Sequence, residues 1–342
     1  MSKIEWTDET WNPTVGCSRV STGCEHCYAE RLAARGLSEA HRGLTVLGSK
    51  RPRWTGEVRL LPDRLEQPLR WSKPRRIFVD SMSDLFHEAI PVEFLDKVFG
   101  IMLACGVLSN RRHTFQVLTK RPHRMSAYLS QSMIDLVERW ARAVDELVEM
   151  GNPDVRFSEY IHSICSWFGP SDHIDVEVQK PWADTANVFP LRNVWLGTSC
   201  EDQATLKERL PILLETPAAV RFLSLEPLLE EIDLPATIGE VNLVIVGGES
   251  GPGARPCSVD AIRRIVARCG EAGVAAFVKQ LGAKPYQIGE SPEPDCNCRE
   301  FNCEHRSEIP PVEWLNLKSR KGNDPAEWPA DIRIREMPEC RL

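Results

Sequence analysis

An open or incomplete (β/α) barrel of the TIM type is the α/β fold that this sequence predicts. Two observations carry that expectation. Short, apolar, β-branched runs alternate with segments of helical spacing, and each run passes directly into polar residues. Runs this short suggest strands buried on both faces, as in parallel sheets, and strand–helix alternation is the signature of a parallel α/β architecture.

In chain order, "PTVG" (13–16) is the first expected strand, and "CYAERLAARG" behind it reads as a helix stopping at Gly36. "RIFV" (76–79), "TFQVL" (114–118), "NVWLG" (193–197), "VRFLSL" (220–225), "VNLVIV" (241–246) and "VAAFV" (274–278) are the remaining strands. Helical spacing recurs over 92–105, 202–215 and 258–273; the last opens at Ser258 and closes on Gly270 and Gly273, which suit caps. Two stretches break the rhythm: a helical insertion over about 126–190 and a turn-rich, Cys-rich insertion over 286–318. The barrel is therefore expected within 1–285, with residues 319–342 as a C-terminal tail packing on it.

Composition narrows the function classes. The chain has 342 residues, 42% hydrophobic, enough for an ample core. No apolar run approaches the ~20 residues of a membrane span, and the polar start "MSKIEWTDETW" does not read as a signal peptide. A cytoplasmic protein is expected, one in which twelve cysteines form no disulfide framework. Cys105, Cys165, Cys200, Cys257, Cys269 and Cys340 are scattered and read as small buried hydrophobes. The net charge of −7 provides no global basic field for nucleic acid and leaves room only for a local groove.

The strand ends carry the chemistry. Asp80, Ser81, Ser83 and Asp84 follow the second run; Thr119, Lys120 and Arg121 the third; Thr198, Ser199, Glu201 and Asp202 the fourth; Glu226 the fifth. "GGESGPGARP" follows the sixth, and Lys279 and Gln280 the last. In parallel α/β folds ligands bind at the carboxyl ends of strands. Gly247 and Gly248 would let backbone approach a ligand, with Glu249 and Ser250 supplying hydrogen bonds. Lys120, Glu226 and Glu249 are the catalytic candidates.

Cys17, Cys24 and Cys27 lie at the same end, spaced Cys-x6-Cys-x2-Cys. Zinc wants four ligands, and His26, wedged between two of the cysteines, is a strained fourth. A four-iron cluster held at three corners leaves one iron open for a ligand. Iron–sulfur cluster, zinc and plain thiols all remain open on spacing alone.

"GCSRVSTGCEHCYAERLA" resembles the radical S-adenosylmethionine superfamily, most of all the branch containing spore photoproduct lyase. More closely, the chain is similar to a phage-encoded and bacterial three-cysteine-motif family of uncharacterised function. That likeness rests on "IEWTDETWNPTVGC" (4–17), "FVDSMSDLFHEAIP" (78–91), "VLTKRP" (117–122), "NVWLGTSCEDQ" (193–203), "FLSLEPLL" (222–229), "VIVGGESGPGARP" (244–256), "FVKQLG" (277–282) and "KGNDPAEWPADIRIREMP" (321–338). It leaves out the two insertions.

The resemblance implies that Cys17, Cys24 and Cys27 ligate a 4Fe–4S cluster whose open iron binds S-adenosylmethionine. Reductive cleavage, with a flavodoxin- or ferredoxin-type electron donor, then yields a 5′-deoxyadenosyl radical that abstracts hydrogen. Ser81, Ser83 and Asp84 would meet the cofactor's amino group and Thr198, Ser199 and Glu201 its ribose; Glu226 and Gly247–Ser250 would line the adenine or substrate side. The first cysteine gap is longer than the commonest spacing in that superfamily, and His26 stands where an aromatic carbocycle is usual.

Analogy with that branch, together with Lys120, Arg121 and Arg124, points to a nucleic-acid or nucleotide substrate for modification or repair. The alternative is a non-catalytic, metal-stabilised nucleic-acid-binding or host-interaction protein. Separately, Cys296, Cys298, Cys303 and His305 offer a closed four-ligand set suited to structural zinc, against a second cluster or no metal.

Overall fold

The computed structural model describes residues 4–48, 51–107, 113–147, 189–289 and 312–338. Its centre is a seven-stranded, wholly parallel half-barrel. The strands are β1 (Glu9–Trp11), β2 (Arg76–Val79), β3 (Thr114–Thr119), β4 (Val194–Ser199), β5 (Val220–Leu225), β6 (Leu243–Gly247) and β7 (Ala275–Gln280), adjacent in chain order. Helices α1 (Tyr28–Ala33), α2 (Val92–Val107), α3 (Pro122–Leu129), α4 (Met133–Asp145), α5 (Gln203–Glu215) and α6 (Val259–Ala272) occupy the crossovers. The β5–β6 connection has only a 3₁₀ turn, Ala236–Glu240, and no α-helix.

The first strand differs from expectation. Thr14–Val15 pairs antiparallel with Arg59–Leu60 outside the sheet, and the barrel edge is Glu9–Trp11, in register with Ile77–Val79. Pro13 has no N–H to give a ladder, so it separates the two. Trp11 is nevertheless fully buried, its indole N–H donating to the Arg64 carbonyl oxygen (2.7 Å).

The sheet is buried on both faces, which is why its strands read as continuous apolar runs. Phe78, Trp195, Phe222, Ile245 and Phe277 fill the concave side around Trp6. Ile77, Val79, Phe115, Val117, Leu196, Val244 and Val278 face the helices. Burying each such side chain stabilises by about 1.5–3 kcal/mol. In the described part of the helical insertion, Trp140 of α4 stacks on Phe99 of α2 (5.2 Å), and Tyr128 of α3 joins them. Cys105, Cys200, Cys257 and Cys269 are buried free thiols. The tail reaches the far edge of the sheet: the Val278 amide donates to the Ile334 carbonyl (2.8 Å) and the Glu336 amide to Ala276 (2.9 Å). No helix among the described residues is long and apolar enough to cross a membrane.

Candidate functional site

Side chains alternate along a strand, so positions two residues beyond the inward aromatics point up the barrel axis. Phe222, Ser224 and Glu226 share one face of β5, and Phe277 and Lys279 one face of β7. The barrel therefore changes from aromatic floor to charged mouth within one strand length. Lys120 Nζ meets Glu201 Oε2 (3.0 Å), and Lys279 Nζ meets Glu226 Oε2 (3.2 Å). Glu201 is held rigidly because α5 starts at the next residue: Asp202 caps it in a reciprocal box with Thr205. Burial opposes ionisation of Glu201, but Lys120, a Ser21 hydrogen bond and Arg209 together hold its pKa below the usual carboxylate value. Burial raises Glu226 against the pull of Lys279. Its Oε1 is buried without a hydrogen-bond partner.

The cysteine loop lies across this mouth and is clamped from three sides. The Gly23 amide donates to Glu201 Oε1 (3.2 Å), and a Cβ at Gly23 would strike that carboxylate. His26 Nδ1 lies 2.5 Å from Glu249 Oε2, and Arg255 Nη2 binds the other oxygen of Glu249 (2.8 Å). Burial works against ionisation of Glu249, and the Arg255 hydrogen bonds and His26 override it, so its pKa is low. On the third side Arg121 Nη2 donates to Ser18 Oγ (2.8 Å) while its Nη1 binds Asp84 Oδ2 (3.0 Å). That same Nη1 lies 3.8 Å from Cys17 Sγ.

The three thiols are half-buried and in no disulfide. Burial raises the Cys17 pKa, Asp84 raises it further, Arg121 opposes, and Cys27 and Cys24 add to the rise. Cys17 therefore senses both other thiols. Burial raises Cys27 too, offset in part by the Glu30 and Ala29 amides. Among the described residues no three His, Cys, Asp or Glu side chains converge on one ion.

The loop after β2 is fastened to the loop after β1. Ser81 Oγ donates to Asn12 Oδ1 (3.0 Å), Ser83 Oγ to the Gly16 carbonyl (2.7 Å), and Tyr28 OH to the Ser81 carbonyl (2.7 Å). Asp84 accepts from Thr119 Oγ1 (2.7 Å), the Lys120 amide (3.0 Å) and Arg121. Thr198 Oγ1 donates to the Thr119 carbonyl (2.9 Å), and Ser199 is buried with its carbonyl on Arg209 (2.7 Å). A Cβ at Gly247 would meet Gln280 and Glu226, and one at Gly248 would run into the Leu281 carbonyl. These two glycines make room for β7 and the residue beyond it. The Ser250 carbonyl accepts from Arg31 (3.2 Å).

Every expected site residue of the barrel therefore lies at its carboxyl end. Of the three catalytic candidates, Lys120 is paired and Glu249 uses both oxygens, while Glu226 keeps one unpartnered. Cys296, Cys298, Cys303 and His305 lie outside the described residues. The sequence reads Arg121 as a strand-end cation suited to a nucleic-acid or nucleotide substrate, whereas the structure commits it to Asp84, Glu88 and Ser18; Asn12, Ser18, His87 and Arg255 carry no sequence signal beyond neighbouring a strand end. His87 completes the Arg121 network: its Nδ1 accepts from the Ala89 amide (3.1 Å) and its Nε2 faces Ser18 Oγ (2.9 Å). Burial and then Arg121 keep the His87 pKa low.

A family model described as "Protein of unknown function (DUF5131)" matches residues 1–310. The chain belongs to that family. The matched span holds the cysteine loop and all seven sheet strands. It also runs through 286–310 and stops before 321–338, whereas the sequence resemblance placed the Cys-rich insertion outside and the tail inside. No curated protein matches the chain, and no solved structure does.

Proposed function

We propose that this DUF5131 member is an iron–sulfur enzyme of the radical S-adenosylmethionine type, with Cys17, Cys24 and Cys27 holding a 4Fe–4S cluster. One observation carries the proposal: three free thiols on one loop lie across the charged mouth of a parallel half-barrel. A four-iron cube takes each thiolate on a different iron, so three cysteines can hold it and leave one iron open. When bound, such a cluster leaves an open iron for S-adenosylmethionine, whose reductive cleavage by a flavodoxin- or ferredoxin-type donor supplies a hydrogen-abstracting radical.

The chain's own residues do the positioning. Arg121 beside Cys17 would offset part of the negative charge of that thiolate. His26, Gly23 and Ser18 tie the loop that carries the three cysteines to Glu249, Glu201 and Arg121. Glu226, raised by burial, can hold a proton at Oε1 facing the mouth. Lys120, Arg121 and Arg124 are all committed internally, Arg124 to the His87 and Ile90 carbonyls. Support for a nucleic-acid or nucleotide substrate therefore has to come from other cations, treated below.

Anaerobic purification tests the proposal. The chain is expected to carry about four iron and four sulfide and, with dithionite, to form 5′-deoxyadenosine from S-adenosylmethionine. Cys17→Ser, Cys24→Ser or Cys27→Ser should each abolish both. A colourless protein with stoichiometric zinc at these cysteines after reconstitution would sink it and favour the non-catalytic alternative.

A further inference from the structure

Beside the cysteine loop, the turn Gly251–Gly253 gathers positive charge that nothing in the mechanism above uses. The Arg31 guanidinium, from α1, packs against Gly251 and donates to the Ser250 carbonyl (3.2 Å). Arg51 packs against Gly253 and donates to the Pro252 carbonyl (2.9 Å). Arg320 of the tail, with Gly251, Pro252, Gly282, Leu315 and Leu317, lines a cavity of about 450 Å³. Two segments distant in sequence thus bring two guanidinium groups to one turn, and a third arginine lines the cavity beside it.

Arg255, two residues further on, is neutralised by Glu249 (2.8 Å) and Glu25 (3.4 Å). Among the described residues, Arg31, Arg51 and Arg320 meet no carboxylate, although Arg31 and Arg51 are half-buried. Half-burying a cation against carbonyl oxygens alone gives up hydration without a counter-charge. In a chain of net charge −7 such a cluster is not a by-product of composition. The guanidinium fork matches phosphate oxygens. The cavity falls in the range of small-molecule sites, about 300–1,000 Å³. Leu315, Leu317 and Pro285 give part of its wall an apolar surface on which a nucleoside can lie, and Asn316 and Ser319 add polar groups.

We propose that the turn Gly251–Gly253 and the cavity beside it bind a nucleotide unit, with its phosphate on Arg31 and Arg51 at the turn and its nucleoside in the cavity beside Arg320. The recognised chemistry is the phosphate with its nucleoside, whether free or as one link of a nucleic-acid strand. As a substrate subsite it rests on the enzyme reading above; as a binding site it rests on the three arginines alone.

The test titrates the full chain, with and without reconstituted iron, against a fluorescein-labelled, mixed-sequence, single-stranded oligonucleotide, with nucleoside monophosphates as competitors. Arg31→Gln, Arg51→Gln and Arg320→Gln should each weaken binding about tenfold and flatten its salt dependence. Arg70→Gln, at an exposed and distant pair with Glu66, should change neither. Displacement by monophosphates assigns a free nucleotide, and resistance to displacement assigns a strand. Arg320 is exposed, so its variant keeps the fold, and thermal melting checks the other two. Unchanged affinity in the triple variant, or no binding of either probe, overturns the proposal. Binding that persists in protein unable to take up iron would sustain the site while sinking the cluster.

Discussion

Asp80 follows β2 in the left-handed region (φ 57°), buried, with its oxygens accepting from the Thr14 amide (3.1 Å) and Thr14 Oγ1 (2.8 Å). Burial pushes its pKa up to about 7, against the Thr14 hydrogen bonds and with help from Asp84. In the unfolded chain the same group titrates near 3.8. Between those values the folded state binds the extra proton. Stability therefore falls as pH rises from about 4 to about 7 and is flat above, a loss on the order of 4 kcal/mol. Asparagine tolerates the left-handed conformation better than most residues and keeps an acceptor for Thr14. Asp80→Asn should remove that slope and raise stability at pH 8, as read from urea denaturation across a pH series; an unchanged slope would show that Asp80 is not its source. His26 illustrates what one residue cannot reveal alone. It and Glu249 were each visible as polar groups near expected strand ends, but 223 residues separate them. Only closure of the sheet makes His26 a clamp.

Elements were legible where burial leaves a pattern. β2 to β7 are buried on both faces and so appear as apolar runs, and α5 and α6 carry their caps in the sequence at Asp202, Ser258 and Gly273. β1 left no such trace because three residues, two of them only half-buried, make no run. The glycines of the β6 end were legible as a loop signal but not in their purpose. Gly248 stands where a Cβ would meet the Leu281 carbonyl and Cys257, so its smallness serves strand packing. Gly248→Ala should cost about 1–3 kcal/mol through overpacking. Gly270, inside α6 with nothing near its Cβ position, behaves oppositely. Gly270→Ala should be stabilising by up to about 1 kcal/mol. Denaturant midpoints compare the two, and equal shifts of the same sign would refute the packing account.

A half-barrel, unlike a closed one, has edges, and an unpaired edge strand is a template for association. β7 is covered because the tail lies antiparallel along it, pairing Arg335 with Phe277 and adding the Ile334 and Glu336 backbone bonds. The tail is anchored in turn by Trp328, fully buried, with its indole N–H on the Gly322 carbonyl (3.0 Å) and the Arg335 guanidinium over its ring (5.3 Å). Asn323 extends the tie to Glu5 (3.0 Å), joining the tail to the segment that precedes β1. Trp328→Ala should therefore cost about 3–5 kcal/mol, the usual loss for a buried aromatic. Truncation after residue 318 should cost at least as much and expose the β7 edge. Circular dichroism in urea and light scattering at rising concentration read the two effects separately. A truncated chain that unfolds at the full-length midpoint and scatters no more light would mean that the half-barrel holds its edge without the tail.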